Sequence, residues 1–412
     1  MLFTTPNPAD LKFDIAAPPR WSYAAGDTII GNLVRHSPVV SPEATVQIVL
    51  TGRAKVKITE STGNSRKIYR DEYRFLGNSP QVLFRGPLHL PEGSGESLHW
   101  PFEVKIPTEP LASARTGHVQ AASFLPLDRN DHPAYHVLPG TFLASHEGLR
   151  TCSVAKVEYA LKATLRYKFG SHKSHEATWP VTLRHPVVQT GIGYELTTMR
   201  GQKKVQSQRL VPGMENADLS LRQKTQKLFG SSKVPEFHYE IQLTVPRIIQ
   251  LDDPQFLPIV IHILPLSAST SEAIRDVAQP VQINWVKFSL RSRTSVMAPS
   301  RVFSSYSHDD QWSSTLNLSL PNAFNALESP LTISTGKGNE PIHIGEVFRL
   351  GLHAGGLTSG DRYLSRVSGI YPDFVTHNIK HVHMQEWQVS LTIAGETQKH
   401  EFSAALALIE SS

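Results

Sequence analysis

Cysteine is almost missing from this chain: Cys152 is the only one in 412 residues. No intrachain disulfide can form, which excludes a cross-linked secreted scaffold. Long apolar runs are also missing. The longest, Leu257 to Leu266, is too short to span a bilayer and contains Pro258, His262 and Pro265. The opening residues, Met1 to Pro8, have neither a basic region nor an apolar core, so no signal peptide is expected. These absences predict a soluble protein of a reducing compartment. Enzyme signatures are lacking as well. There is no G-x-S-x-G elbow, Thr335-Gly336-Lys337-Gly338 lacks the spacing of a phosphate loop, and Cys152 follows Arg150 without a nucleophile motif. The expectation is a chain with no enzymatic activity and no cofactor.

What is present points to strands. Hydrophobic residues make up 40% of the chain, enough to fill real cores, and 29 prolines spread along it disfavour long helices. Alternation with period two recurs in both halves. Val46, Ile48, Leu50, Ala54, Val56 and Ile58 share one face; Val157, Tyr159, Leu161, Leu165, Tyr167 and Phe169 share another. Later runs are Phe237 to Val245, Val286 to Leu290 and Trp387 to Ile393. One apolar and one polar face per strand implies stacked sheets, so the fold class is all-β with two β-sandwiches.

The expected division is residues 1–195, a linker over 196–233, and residues 234–412. The window 196–233 holds 8 basic residues, among them Arg200, Lys203, Lys204, Arg209, Arg222, Lys224, Lys227 and Lys233, against Glu215 and Asp218. The first reading of this window is a mostly disordered linker; the second is a short docked helix capped at Asn216 to Asp218, carrying Leu221 and Leu228 and stopped by Gly230. The whole chain is +5 and this window alone is 8 − 2 = +6, which leaves the rest at −1. The basic character is therefore local. Only Phe229 accompanies the cations, so no nucleic-acid partner is expected; an anionic lipid surface or an acidic partner suits the segment.

Alternation also puts Arg53, Lys55 and Lys57 on the polar face of one strand, and Lys156, Lys162, Arg166 and Lys168 on that of another. Seven cations on two outer faces are candidate contacts for an acidic or phosphorylated segment; ordinary solvated faces are the alternative. Arg291 and Arg293 repeat the pattern more briefly. His377, His381 and His383 form H-x3-H-x-H, but only Asp373 and Glu386 lie near enough in sequence to complete a ligand set. No metal is expected, and these histidines read as polar strand-face residues.

The ordered series of motifs resembles the arrestin-like family, in its fungal and animal alpha-arrestin branch. Tyr23, Gly26, Asp27, Ile29, Gly31 and Leu33 are similar to its Y-x-x-G-D-x-I-x-G-x-V opening. Val46 to Ala54, Leu90 to Gly93, Trp100 to Pro107, Leu138 to Phe142 and Val157 to Ala163 follow in the family's order. Phe237 to Arg247 and Phe374 to His381 resemble its second domain.

The resemblance implies two immunoglobulin-like β-sandwich domains and a cytosolic adaptor. Such a protein binds cytosolic tails of membrane transporters or receptors and promotes their ubiquitin-linked endocytosis or sorting, at the plasma membrane or endosomes. The branch recruits WW-domain ubiquitin ligases through PPxY, which this chain lacks. Pro133-Ala134-Tyr135 is the nearest exposed match. Pro18-Pro19-Arg20-Trp21 has Trp for Tyr, and Trp21 is expected in the core. A scaffold or coat-like subunit of the same fold that recruits no ligase is the alternative.

Overall fold

The computed structural model describes residues 11–63, 65–77, 79–111, 123–125, 136–169, 171–186, 195–215, 217, 234–299, 307–336, 338–367 and 369–410. Strands account for 63% of the described residues and helices for 4%, so the fold is all-β. Two compact units are built from interleaved segments. Unit 1 comprises Met1–Pro186, Thr294–Trp312 and Phe374–His381; unit 2 comprises Val187–Arg293, Ser313–Asp373 and Val382–Ser412. This differs from the three consecutive spans expected above, because strands late in the chain contribute residues to unit 1. Among the described residues no helix is long and apolar enough to cross a membrane.

In unit 1 the chain runs through β1 (Lys12–Ile15), β2 (Ser22–Tyr23), β3 (Thr28–Arg35), β4 (Val39–Thr62) and β5 (Ser65–Leu76). Then come β6 (Gln81–Leu90), β7 (Leu98–Lys105), β8 (Phe142–Glu147), β9 (Thr151–Phe169) and β10 (Ser171–Leu183). A three-stranded sheet has the order β1-β3-β7. A seven-stranded sheet has the order β2-β10-β9-β4-β5, with β6 also on β4 and β8 also on β9. Rings of the two sheets meet between them: Trp100 of β7 is 6.4 Å from Phe84 of β6. Val46, Ile48, Ala54, Val56 and Ile58 of β4 are buried, as are Val157, Tyr159, Leu161 and Leu165 of β9. Alternation thus chose the inner face correctly. The turn before β3 is built as its residues require: Gly26 has φ +95°, and the Asp27 carboxylate accepts the Ala24 N–H at 2.8 Å.

Trp21 departs from expectation. It is 49% exposed, while Tyr23, two residues on, is buried. Arg20 adopts φ +63° and Trp21 N–H bonds back to the Pro18 carbonyl, so a turn holds the indole outside and the next core residue is Tyr23.

Unit 2 begins with β11 (Leu196–Gln206), β12 (Glu236–Pro246), β13 (Ile248–Gln250) and β14 (Val260–Pro265). Next are β15 (Pro280–Pro299), β16 (Ser307–Asn317), β17 (Leu331–Ser334) and β18 (Ile342–His343). A small sheet of β19 (Leu350–His353), β20 (Gly356–Ser359) and β21 (Arg362–Tyr363) follows. The chain closes with β22 (Phe374–Val375), β23 (Ile379–Ile393) and β24 (Glu396–Ile409). The sheet β11-β12-β14-β18 and the sheet containing β13, β24, β23 and β15 share one core. Phe288 stacks on Trp387 there at 4.2 Å, with Tyr239, Ile241 and Leu391 fully buried.

Residues 196–206 are therefore strand, not linker. β11 pairs with β12 along its whole length, from Leu196↔Pro246 to Gln206↔Glu236. Its inward positions include Met199, Gly201 and Val205, so the apolar alternation is diluted by a glycine. A Cβ at Gly201 would lie 3.3 Å from the Phe402 ring, which explains why no larger residue marks the pattern.

Candidate functional site

The pleat of β4 and β9 sends Arg53, Lys55 and Lys57, with Lys156, Lys162, Arg166 and Lys168, to the face of the seven-stranded sheet opposite the core. Antiparallel register decides which of them meet. Lys55 lies opposite Lys156, Arg53 opposite Glu158, and Lys57 opposite Val154. On the other side of β4, Lys55 faces Glu72 and Lys57 faces Arg70.

Glu158 is the hub of this face. Its side chain is only 10% exposed and receives Arg53 Nε at 2.7 Å, Lys55 Nζ at 2.7 Å and Lys156 Nζ at 2.5 Å. Burial alone would raise its pKa, but the bonds from Lys156, Lys55 and Arg53 outweigh desolvation and hold it at about 2. Glu72 takes Arg53 at 3.2 Å and Arg74 at 2.7 Å. Its carboxyl stands below the usual range because these partners overcome the desolvation that opposes them.

Three of the seven expected contacts are thus occupied inside the protein. Arg53, Lys55 and Lys156 are not an open anion site, because Glu158 satisfies them, across the β4–β9 pair for Arg53 and Lys55 and two residues along β9 for Lys156. Among the described residues Lys57, Lys162, Arg166 and Lys168 have no carboxylate partner. Register adds a cation that periodicity on single strands does not reveal: Arg85 of β6 and Arg166 of β9 both flank Thr45 of β4.

The segment 196–233 shows the same internal pairing where it is described. Lys204 binds Glu236 at 3.1 Å and Arg200 approaches Glu240 at 3.9 Å. The Lys204 hydrogen bond is the main reason Glu236 lies below the usual carboxylate range. Lys203 donates to the Lys399 carbonyl, and Arg209 Nε to the Ala217 carbonyl at 3.1 Å. Arg222, Lys224, Lys227, Lys233 and the expected helix lie outside the described residues, as do Pro133 and Tyr135.

No family model matches the chain, and no curated protein matches its sequence. The family resemblance therefore rests on the ordered motifs.

The histidine motif is buried, contrary to a polar-face reading. His381 Nδ1 meets Thr294 Oγ1 at 2.9 Å, and His383 Nδ1 meets Asp373 Oδ1 at 2.5 Å. His377 Nδ1 meets Ser123 Oγ at 2.7 Å. The two strand histidines share a face, but it is the inner one, where hydroxyl and carboxylate partners compensate their burial. Among the described residues no group of three His, Cys, Asp or Glu side chains could hold a metal ion. Arg291, noted above for its strand-face position, binds Glu386 at 3.1 Å.

Proposed function

We propose that this protein is a non-enzymatic adaptor of two-domain arrestin-like architecture, in which the outer face of the seven-stranded sheet takes acidic cytosolic segments of membrane transporters or receptors. The observation that carries the reading is the unpaired set Lys162, Arg166 and Lys168, with Arg85 beside them across Thr45. Cations without internal carboxylates keep their charge available to a ligand, and Arg166 and Lys168 are exposed, whereas those on Glu158 would have to exchange one anion for another. Sorting or ubiquitin-linked internalisation of the bound membrane protein is the output implied by the motif series.

The test is fluorescence anisotropy with a labelled Glu-rich peptide. Arg166→Glu with Lys168→Glu should weaken binding at least about tenfold, and salt should weaken it in the wild type. Unchanged affinity in the double variant would remove this face from the reading. Ligase recruitment is a separate part of the proposal, tested by WW-domain pull-down of wild type against Tyr135→Ala. The missing PPxY favours a second reading, a trafficking scaffold of the same architecture, and no WW capture by the wild type would select it.

A further inference from the structure

One end of the outer face in unit 1 has a different composition from its middle. Leu149, in the turn between β8 and β9, is 106% exposed, the most exposed of the large hydrophobic residues described. That turn is fastened in place: Gly148 N–H bonds the Thr151 carbonyl at 2.9 Å, and Ser61 N–H of β4 bonds the Arg150 carbonyl at 2.8 Å. Arg66 of β5 is the register partner of Ser61. Arg66 and Arg150 thus flank Ser61, with backbones roughly 10 Å apart at the usual strand spacing.

The rows behind them continue the mixture. Ile68 and Val154 are 40% and 37% exposed on this face, and Lys57 lies between Arg70 and Val154 in register. Among the described residues Arg66, Arg150, Arg70 and Lys57 have no carboxylate partner. The local acids are few. Glu147 is exposed opposite Cys152, while Glu60 is engaged by His308 at 3.4 Å. Only further along the face does the Glu72–Glu158 network neutralise the cations.

Four free cations against one exposed carboxylate, with three exposed aliphatic side chains among them, suit a surface that is anionic outside and apolar beneath. A purely acidic peptide would use the arginines but would leave Leu149 in water. We propose that this end of unit 1 docks on an anionic phospholipid bilayer, with Leu149 entering the acyl boundary and Arg66 and Arg150 on lipid phosphates. It rests on the adaptor reading only in supposing that the protein works at a membrane. It also moves the lipid contact away from the basic segment 196–233.

The experiment uses the full chain, vesicles of phosphatidylcholine with or without phosphatidylserine, and an environment-sensitive dye on Cys152, the single and exposed cysteine. Wild type should co-sediment with phosphatidylserine vesicles and its dye should shift to the blue. Arg66→Glu with Arg150→Glu should lower binding about tenfold or more, and Leu149→Ser several-fold, with thermal melts unchanged. Equal binding to phosphatidylcholine alone would overturn the proposal. So would vesicle binding with the dye still in water, which would place the contact elsewhere. Loss of Glu-rich peptide binding in the Arg66/Arg150 variant with vesicle binding intact would make this a peptide surface instead. If vesicle binding fails while the Glu-rich peptide still binds, the lipid proposal falls and the adaptor reading stands.

Discussion

Arg53 Nε sits 2.7 Å from Glu158 Oε1 across the β4–β9 pair, and the same carboxylate holds Lys55 and Lys156. One largely buried acid thereby organises three cations on an outer sheet face. Glu158→Gln should leave them repelling one another around a neutral amide. The expected cost is about 1–3 kcal/mol, reduced by solvent at the partly exposed cation heads, and it is read from the urea midpoint.

The same hub sets a pH dependence. The folded-state pKa of Glu158 is depressed to about 2 from an ordinary 4.5, so its stabilisation is present above pH 4.5 and is lost as pH falls toward 2. Denaturation curves collected over that window should show wild type losing stability faster than Glu158→Gln. Parallel curves would mean that the network contributes nothing in solution.

Lys55 and Glu158 touch, so their substitutions should not add. Lys55→Met combined with Glu158→Gln should cost less than the two single changes together, by about 0.5–2 kcal/mol. Additivity within error would show the pair to be uncoupled.

His185 adds an acid sensitivity of the same sign from a different cause, burial of a neutral ring. It is 6% exposed, neither ring nitrogen has a hydrogen-bond partner among the described residues, and burial pushes its pKa down to about 4. The unfolded imidazole takes a proton near pH 6.5, so this contribution is complete above 6.5 and falls away as pH drops toward 4. The loss should approach roughly 3 kcal/mol, and His185→Leu should flatten the stability curve over that interval. A curve of unchanged slope would show that His185 is hydrated or partnered.

Gly140 is the seat of that histidine. A Cβ there would lie 2.3 Å from His185 Cδ2 and 2.7 Å from the His185 backbone nitrogen. Gly140→Ala should cost about 2–4 kcal/mol by thermal or chemical denaturation. Adding His185→Ala should recover only part of it, because the backbone contact persists; full recovery would show that the ring alone sets the constraint.

Period-two alternation determined the fold class and which side of each strand is inside. Val46 and Ile58 on β4, Val157 and Leu165 on β9, and Tyr239 and Trp387 in the second unit all lie where alternation puts them. A strand has only two faces, so one string of side chains suffices to choose between them. It could not find β11, whose inward positions include Gly201, nor place Trp21, which a turn at Arg20 turns outward.

The candidate site was legible as far as the face and no further. Arg53 and Arg166 look alike in sequence, yet one faces Glu158 and the other faces Thr45. Which cation meets a carboxylate depends on register between strands about 100 residues apart, and a shift of one residue would exchange every partner. The approach of Arg66 and Arg150 to Ser61 has the same origin, since it needs the β8–β9 turn fastened beside the end of β4. Alternation along one strand is local and is written in each segment; pairing is a long-range choice that only the packed sheet makes.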